Sequence, residues 1–581
     1  MARTTIKRRV KHAPLYLVIS TAMLVACGSD DNSSSSSKTT DLPQLSAAEG
    51  VNYSGNCSSL LGTLSFENTS ISSVTTVAAG ELSVGDTSIG EHCLVSGTMN
   101  ERTSDVDGKS YAIGFEMRLP KDWNGRFFYQ ANGGNDGSVV TATGSYGGAP
   151  YVNALSMGFA VISSDAGHSA GQEFGYDPQA RLDYGYQAVG FLTPMAKSII
   201  RQVYNKVPDR SYIGGCSNGG RHTLVAAKRY VDEYDGYLAS APGYRLPRAT
   251  TARLGWAQAY ASIDGTDPAN LSTAFNATER LMVANAVLAQ CDSLDGAEDG
   301  MVQDFQACQT TFNLQEDVPT CSSERDGTCL TQQQKDVISS IYEGVKTASG
   351  EAVYSPFPYD PAMGGGDSAF WQYQAAYWFE SSSTAMIFTS PPVELQEFNP
   401  ANFNTVEYAL TTDLDDILAK TEATTDLYTE SAMSFMTPPN PEDMSALKNR
   451  GAKIMVFHGI NDQAFSVDDT AAWYESLEQG TGDTEQFARF YAVPGMGHCS
   501  GGQSTDQFDM LSSLVAWVEQ GEAPESIVAN ARGSGNPVGV NADLPASWSA
   551  DRSRPLCPYP KVARYNGSGD IEDAANFSCA E

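Results

Sequence analysis

Residues 211–220 read SYIGGCSNGG, and this stretch decides the fold of the 581-residue chain. It places the pattern G-x-S-x-G around Ser217, after an apolar strand-like run and before the helix-like run RHTLVAAKRYV. A strand, a tight turn and a helix in this order form a nucleophile elbow, where glycines flank the serine because no side chain fits. This context favours a nucleophilic Ser217, with the backbone N–H of Asn218 pointing at a developing oxyanion. The alternative is a glycine-rich helix N-terminus that binds an anion or only turns the chain.

Strand-like and helix-like runs alternate on both sides of this motif. The strand-like runs are GRFFYQ (125–130), GFAVISSD (158–165), KIMVFH (453–458) and RFYAV (489–493), and residues 184–204 have a helical pattern. Such alternation predicts a doubly wound, mostly parallel sheet. Between about 244 and 445 the periodicity is lost, which indicates an insertion. The sequence therefore predicts an α/β-hydrolase domain formed by residues 46–243 and 446–581, with an inserted lid domain at 244–445.

A base and an acid for Ser217 follow the last two strand-like runs. His498 lies in the glycine-flexed PGMGHCSGG, and Asp462 lies in HGIND. The chain order Ser217, Asp462, His498 is the order of the triad in α/β-hydrolases. We expect Asp462 to fix the imidazole tautomer and His498 to accept and return the serine proton. His168 follows a strand and could line the site, and we expect it to support the site without acting on the substrate. The histidines expected to be structural, or poorly directed toward Ser217, are His92, His222 and His458.

The N-terminal residues are typical of an export signal. Basic residues between positions 3 and 11 precede a short apolar run, and Leu24-Val25-Ala26-Cys27 resembles a bacterial lipobox. We expect lipidation of Cys27, with ordinary cleavage nearby as the alternative, and interpret residues 28–45 as a Ser-rich tether. The protein would then be anchored to the cell envelope or otherwise secreted, and would touch a membrane only through its lipid.

Ten cysteines remain beyond Cys27, and an even number in an exported chain favours disulfides. No C-x-x-C pair exists, so structural zinc is disfavoured. Proximity suggests four pairs, Cys57–Cys93, Cys291–Cys308, Cys321–Cys329 and Cys557–Cys579. By elimination Cys216 pairs with Cys499, which would clamp the neighbour of Ser217 to the neighbour of His498.

Composition excludes two classes of protein. Acidic residues outnumber basic ones by 69 to 36, and the formal net charge is -33. Such a surface repels phosphate backbones, which excludes nucleic-acid binding. With 41% hydrophobic and 18% charged residues, the chain is not globally disordered.

The chain resembles the tannase and feruloyl esterase family of α/β-hydrolases, whose signature is a catalytic serine and histidine joined by neighbouring cysteines. The resemblance runs from about residue 57 to the C-terminus. It is carried by GCSNGG and GHC and by the stretches WNGRFF, DPQARLDYGYQA, CDSLDGAEDGMV and RPLCPYPKVARYNGSGDI. It implies a second oxyanion donor at Gly134, with Gly133 as the alternative, because a glycine N–H can approach a substrate oxygen closely.

An acidic loop with the sequence CDSLDGAEDGMVQD begins at Cys291. Its aspartates at 292, 295 and 299 are hard oxygen ligands, which favour calcium over zinc. The family resemblance implies a structural Ca²⁺ in the lid and no organic cofactor. The expected ligands are Asp292, Asp295, Asp299 and the carbonyls of Ala297 and Met301. The alternative is an Asp-rich turn held by a disulfide.

Substrate choice is expected to depend on lid aromatics. The candidates are Trp371, Tyr373, Tyr377, Trp378 and Phe379, with a small lid core as the alternative. The resemblance adds Phe465 to the pocket. Within the family, cleavage of a terephthalate monoester relies on a lid arginine, yet this chain has no arginine between Arg325 and Arg450. Lys335 or Lys346 could substitute.

The sequence thus predicts a secreted serine carboxylesterase for phenolic, hydroxycinnamic or gallic-type esters, acting through an acyl-enzyme. Its partner would be a small aromatic ester, and its oligomeric state stays open. One alternative is hydrolysis of a terephthalate monoester, and another is a non-catalytic surface lipoprotein that binds ligands.

Overall fold

A nine-stranded sheet organises the chain. The computed structural model describes residues 42–322, 325–394 and 402–581, so the export signal, Cys27 and most of the tether lie outside the described residues. The strands of the sheet are β1 (Thr69–Val77), β2 (His92–Thr103), β3 (Ser110–Pro120), β4 (Arg126–Gln130), β5 (Ala160–Ser164), β6 (Arg210–Cys216), β7 (Gly236–Ser240), β8 (Lys453–Gly459) and β9 (Ala488–Val493).

The strand order is β9-β8-β7-β6-β4-β5-β3-β2-β1. The six strands from β9 to β5 are parallel to their neighbours, and β3, β2 and β1 continue the sheet in antiparallel pairing. Strands β5, β7 and β8 are buried along their whole length, as parallel strands covered on both faces must be. The exposed edge strand β1, TSISSVTTV, is polar and exposes alternate residues. The predicted α/β class with a mostly parallel sheet is confirmed.

Helices cover both faces of the sheet because successive strand residues point to opposite sides. Phe127 joins one core with Leu192, whereas Phe128 joins the other core with Leu514. The helices in chain order are α1 (Pro178–Leu182), α2 (Ala188–Tyr204), α3 (Asn218–Arg229), α4 (Leu246–Ala261), α5 (Ala277–Cys291), α6 (Phe305–Thr311), α7 (Leu314–Asp317), α8 (Gln332–Tyr342), α9 (Gly366–Tyr373), α10 (Ser381–Met386), α11 (Thr405–Thr411), α12 (Leu414–Glu422), α13 (Ala432–Met436), α14 (Ser445–Asn449), α15 (Val467–Gly480) and α16 (Met510–Gln520). The helix predicted at 184–204 ends as expected and begins inside a π-helical turn, Asp183–Gln187.

The long stretch between β7 and β8 carries α4 to α14 and, in its described part, adds no strand to the sheet. Its position matches the expected insertion. Leu42–Glu581 forms one compact unit, so the boundary between a catalytic domain and a lid stays a prediction. Within the described residues, four two-stranded ribbons lie outside the sheet. They pair Val51–Asn52 with Asp122–Trp123, Ser83–Val84 with Thr87–Ser88, Ile527–Asn530 with Ser553–Leu556, and Val562–Tyr565 with Phe577–Ala580.

Five disulfides link the pairs expected from the sequence. They are Cys57–Cys93, Cys216–Cys499, Cys291–Cys308, Cys321–Cys329 and Cys557–Cys579. None of the helices in residues 42–322, 325–394 and 402–581 has the length and apolar character needed to cross a membrane.

Candidate active site

Ser217 occupies a sharp turn between β6 and α3. Its backbone has φ +66° and ψ -125°, in a region that non-glycine residues rarely adopt. A Cβ atom on Gly215 would lie 2.1 Å from the carbonyl oxygen of Ala131, and one on Gly219 would lie 2.3 Å from the same atom. Both glycines are therefore required sterically, and the turn has the geometry of a nucleophile elbow.

The imidazole of His498 lies between the serine and a buried carboxylate. Its Nε2 is 2.9 Å from Oγ of Ser217, and its Nδ1 is 2.8 Å from Oδ2 of Asp462. The other oxygen of Asp462 accepts from the backbone N–H groups of Ala464 at 2.7 Å and Phe465 at 3.0 Å. The carboxylate is thus fixed by its own loop, and the arrangement can pass a proton from the serine to the imidazole.

Charge in this group is set by opposing effects. Burial opposes ionisation of Asp462, but the neighbouring His498 and His458 outweigh it and hold the pKa of this carboxyl well below its usual range. Nε2 of His458 lies 3.2 Å from Oδ2 of Asp462. Burial also opposes a charge on His498, yet attraction to Asp462 prevails and raises the pKa of the imidazole. Asp462 can therefore stabilise an imidazolium as it forms.

Residues of the insertion also position His498. Asp367, on α9, accepts a hydrogen bond from the His498 backbone N–H at 3.0 Å and another from Nε1 of Trp371 at 3.2 Å. The ring centroids of Trp371 and Phe465 lie 4.9 and 5.5 Å from that of the imidazole. Sequence reasoning missed Asp367, whose only signal was its position four residues before Trp371 on a helix.

The Cys216–Cys499 disulfide joins the residue before the serine to the residue after the histidine. Its Cα atoms are 5.9 Å apart, and it connects positions separated by 283 residues. A turn at Gly147 and Gly148 covers it, since a Cβ on Gly147 would lie 2.9 Å from Cβ of Cys216 and Gly148 donates to the Cys499 carbonyl at 2.7 Å. The link therefore holds the ends of β6 and of the His498 loop together.

The loop after β4 approaches Ser217 through its glycines. A Cβ on Gly133 would lie 3.6 Å from Cβ of Ser217, whereas one on Gly134 would meet no atom within 4 Å. Both glycines and Asn218 line the cavity above the serine. The loop is thus placed beside the nucleophile, and the choice of Gly134 over Gly133 as donor stays a prediction.

A buried polar network connects this loop to α3, and no motif in the sequence indicates it. Oδ2 of Asp136 accepts from Nδ2 of Asn218 at 2.8 Å and lies 2.9 Å from Nε2 of His222. Arg221 donates to Oδ1 of Asn218 at 2.6 Å. The two segments with candidate oxyanion donors are therefore connected by side chains. His222 is directed to Asp136 and does not contact Ser217 among the described contacts.

His168 supports the same loop from outside. Its Nε2 lies 2.7 Å from the carbonyl oxygen of Asn135, and its ring stacks on Phe174 at a centroid distance of 3.6 Å. His168 is not among the residues that line the cavity. Its ring is stacked behind the loop, so of the two expected places His168 takes the supporting one and not the one in the lining.

A cavity of about 550 Å³ opens above Ser217. Its aromatic lining consists of Phe370, Trp371, Trp378, Phe379, Phe388 and Phe465. Trp378 stands at the rim with 71% of its surface exposed. The ring centroid of Tyr373 lies 4.8 Å from that of Tyr260, and the hydroxyl of Tyr377 donates to the Pro268 carbonyl. Neither of these two lid aromatics lines the cavity.

Charged lining residues are acidic. Asp136 and Glu380 line the cavity, and no lysine or arginine of the described chain does. Lys335 is buried and donates to the carbonyls of Gln315 and Val318. Neither Lys335 nor Lys346 reaches the cavity, so the proposed replacement of a lid arginine by either lysine is wrong.

The predicted calcium loop brings its aspartates close together. Oδ1 of Asp292 accepts from the N–H groups of Asp299 and Gly300 at 3.1 and 3.0 Å, and Oδ1 of Asp295 accepts from Ala297 at 2.9 Å. Burial, together with the charges of Asp299 and Asp292, raises the pKa of Asp295 to about 7.

Two observations bear on whether this loop fits a cation. Oδ2 of Asp295 is buried and has no hydrogen-bond partner within the described chain, which suits a metal ligand. Oδ2 of Asp299 is already paired with Arg554. No cluster of three or more His, Cys, Asp or Glu side chains in the described part is arranged to hold a metal, although two of the expected ligands are backbone carbonyls.

Comparison with known proteins agrees with the fold. A sequence model of the family described as tannase and feruloyl esterase matches residues 93–580. The mono(2-hydroxyethyl) terephthalate hydrolase of Piscinibacter sakaiensis is 37% identical over 532 residues, with 84% of this chain and 85% of that protein covered. A probable feruloyl esterase B-1 of Neosartorya fischeri is 27% identical, with 84% and 86% covered.

Solved structures give the same fold. Feruloyl esterase B from Aspergillus oryzae superimposes with a TM-score of 0.70 at 24% identity, over 90% of this chain and 99% of that one. Tannin acyl hydrolase from Aspergillus niger gives 0.64 at 19% identity, over 89% and 92%. The fold is that of an α/β-hydrolase. The chain belongs to the tannase and feruloyl esterase family, and it is a carboxylic ester hydrolase.

Removing the Cys216–Cys499 disulfide tests its role in alignment. We expect Cys216→Ala/Cys499→Ala to lower turnover more than secondary structure, because the base loses its register with the nucleophile first. Closing so long a loop also stabilises the fold by up to about 4–5 kcal/mol, so the melting temperature should fall. The matched control is Cys321→Ala/Cys329→Ala, which removes a disulfide that spans only 8 positions. Neither cysteine lines the cavity, so this variant should keep wild-type turnover. Wild-type turnover in the first double variant, or free thiols at both positions in the native protein, would contradict this role.

Proposed function

We propose that this chain is a serine carboxylesterase for neutral aromatic esters and works through an acyl-enzyme. The observation that carries the proposal is the continuous hydrogen-bonded line from Ser217 through His498 to Asp462, at 2.9 and 2.8 Å, at the base of an aromatic cavity. No lysine or arginine of the described chain lines the cavity, which supports a neutral substrate.

The first half of the reaction transfers the acyl group to the enzyme. Oγ of Ser217 attacks the ester carbonyl while Nε2 of His498 takes its proton. The N–H groups of Asn218 and Gly134 donate to the oxyanion of the tetrahedral intermediate. The intermediate collapses, the C–O bond to the alcohol breaks, and His498 protonates the departing alcohol.

Water completes the cycle in the second half. His498 takes a proton from a water molecule, which attacks the acyl carbonyl and forms a second tetrahedral intermediate. This intermediate breaks the bond to Ser217 and releases the aromatic acid, and the serine regains its proton from His498. Throughout, Asp462 holds Nδ1 of the imidazole and stabilises its positive charge.

The site of action is proposed to lie outside the cytoplasm. Five disulfides support an oxidising compartment. Lipidation at Cys27 stays a prediction from the sequence.

Variants of the triad test the mechanism. Ser217→Ala and His498→Ala should each lower kcat by about four orders of magnitude or more with an unchanged melting temperature, and Asp462→Asn should be nearly as severe because the imidazole tautomer is wrong. Ser339→Ala, which changes a serine on α8, should keep wild-type turnover. A fluorophosphonate should label Ser217 in the wild type. Near-native turnover of Ser217→Ala would show that Ser217 is not the nucleophile. A wild-type protein that is not labelled and hydrolyses no ester would favour a binding module without catalysis.

A substrate pair tests the preference for neutral esters. Methyl hydroxycinnamate or an alkyl benzoate should have a higher kcat/KM than mono(2-hydroxyethyl) terephthalate, by about tenfold for each 1.4 kcal/mol of missing carboxylate pairing. The comparison is made with one enzyme preparation at one pH and salt concentration. Equal or faster turnover of the charged monoester would reject this preference and favour the alternative activity.

We also propose that Asp292, Asp295 and Asp299, with the carbonyls of Ala297 and Met301, bind a structural Ca²⁺. The buried, unpartnered Oδ2 of Asp295 supports a cation at this place. The ion would stabilise the loop that follows α5 and take no part in the chemistry.

Chelation tests the calcium proposal. EDTA should lower the melting temperature, and excess calcium should restore it by mass action. Asp295→Asn should remove this response, whereas Asp232→Asn, at an exposed position elsewhere, should retain it. An unchanged melting curve together with no calcium by elemental analysis would contradict the calcium site. The Arg554–Asp299 ion pair alone would then balance the negative charge of the loop.

A further inference from the structure

Glu380 is a buried carboxyl in the wall of the active-site cavity. It ends a π-helical turn, Ala376–Glu380, between α9 and α10, and only 3% of its surface is exposed. The other lining carboxyl, Asp136, is occupied by Asn218 and His222. Glu380 is thus the acidic side chain of the lining that the proposed mechanism does not use.

Arg253 of α4 holds Glu380 from behind. Its Nε lies 3.2 Å from Oε2 of Glu380, and its two terminal nitrogens donate to the carbonyls of Gln463 and Ala464. Its guanidinium also stacks on Trp256 at 4.3 Å. Arg253 is 1% exposed and does not line the cavity. It therefore balances the charge of Glu380 but cannot receive the carboxylate of a substrate.

The hydrogen-bonding capacity of Glu380 is largely unused. Oε2 is the oxygen that faces Arg253, and it is buried without a hydrogen bond of good geometry. The described residues give the carboxyl no other hydrogen-bond partner, so the other oxygen, Oε1, is the one left to accept from a ligand. Burial raises the pKa of Glu380 to about 7, against the opposing effect of Arg253. A carboxyl group has several acceptor positions, and leaving them empty in an aromatic wall is unfavourable.

Glu380 lines the same cavity as Ser217 and His498. The ring of Trp371 is 4.9 Å from that of His498 and 6.0 Å from that of Phe379, the residue before Glu380. An aromatic acyl group bound to Ser217 would therefore share one cavity with this acceptor.

We propose that Glu380 is a specificity-determining residue, whose carboxylate accepts a hydrogen bond from a ring hydroxyl of the aromatic acyl group. The proposal rests on the proposed esterase function and names its substrate class, esters of hydroxyaryl acids. A ring methoxy group has no proton to donate, and a ring carboxylate would place two negative charges together without a free cation. Glu380 thus favours substrates with a ring hydroxyl and disfavours those with a ring methoxy group or a ring carboxylate.

A substrate series on the wild-type enzyme tests the acceptor. It comprises methyl cinnamate, its 3-hydroxy and 4-hydroxy derivatives, and the two matching methoxy compounds. One hydroxy isomer should exceed both its methoxy counterpart and the unsubstituted ester in kcat/KM by about tenfold or more, as expected for a hydrogen bond to a charged group. If neither hydroxy isomer exceeds these by more than about twofold, a bound water satisfies Glu380 and the proposal is rejected.

A conservative variant assigns the effect to Glu380. Glu380→Gln keeps the size of the side chain and a contact to Arg253 but removes the charge. The hydroxy-to-methoxy ratio should fall to within about threefold, and turnover of mono(2-hydroxyethyl) terephthalate relative to methyl cinnamate should rise. The matched control is Glu279→Gln, at a buried glutamate paired with Arg325 away from the cavity, and it should keep the wild-type ratio. A wild-type ratio in Glu380→Gln overturns the proposal.

The outcomes separate this inference from the function on which it rests. If the protein is no aromatic esterase, it hydrolyses none of the series. If it is one and Glu380 has no role in selection, it hydrolyses the series without a preference for a hydroxyl group. Should Glu380→Gln fail to fold, the wild-type series alone decides.

Discussion

The approach of the Ala131 carbonyl to the turn at Ser217 is the constraint on which the rest of the site depends. A side chain on Gly215 or Gly219 would collide with that oxygen, and the Ala131 N–H donates to the Gly214 carbonyl at 2.9 Å. Backbone therefore packs directly on backbone, which holds Ser217 at φ +66° and brings the loop after β4 beside it. The exposure of the serine and the position of the candidate oxyanion loop have this one origin.

The parts of the site that could be predicted from the sequence have local signals. Ser217 stands in a pattern whose glycines are needed for steric reasons, and Asp462 and His498 follow apolar strands of a fold that places both at strand ends. Buried parallel strands are recognisable because both of their faces are apolar. Cys216 and Cys499 lie beside two of these residues. This adjacency is visible in a single sequence, and it indicates their pairing.

The parts that could not be predicted depend on contacts between residues far apart in the chain. Asp136 bonds to Asn218, 82 positions away, and no spacing rule relates a lone aspartate in a loop to a helix start. Arg253 and Glu380 are also far apart in the chain, and either residue type alone is typical of a solvent-exposed helix. Five lid aromatics looked equivalent in the sequence, yet packing against Tyr260 removes Tyr373 from the cavity. Burial on one side of a helix decides such cases, and composition does not reveal it.

These long-range contacts connect the insertion to the catalytic geometry. Asp367 holds the backbone of His498, while Arg253 donates to the carbonyls of Gln463 and Ala464 in the loop that begins with the triad aspartate. Because Arg253 also pairs with Glu380, one buried cation contacts both a residue in the wall of the active-site cavity and the loop that follows Asp462. Replacing Glu380 by an apolar residue would leave that cation buried and unpaired, at a cost of about 3–5 kcal/mol. A change of specificity that removes this carboxyl therefore requires a compensating change at Arg253. Because Arg253 also holds the Asp462 loop, specificity and catalysis cannot vary independently at this point of the fold.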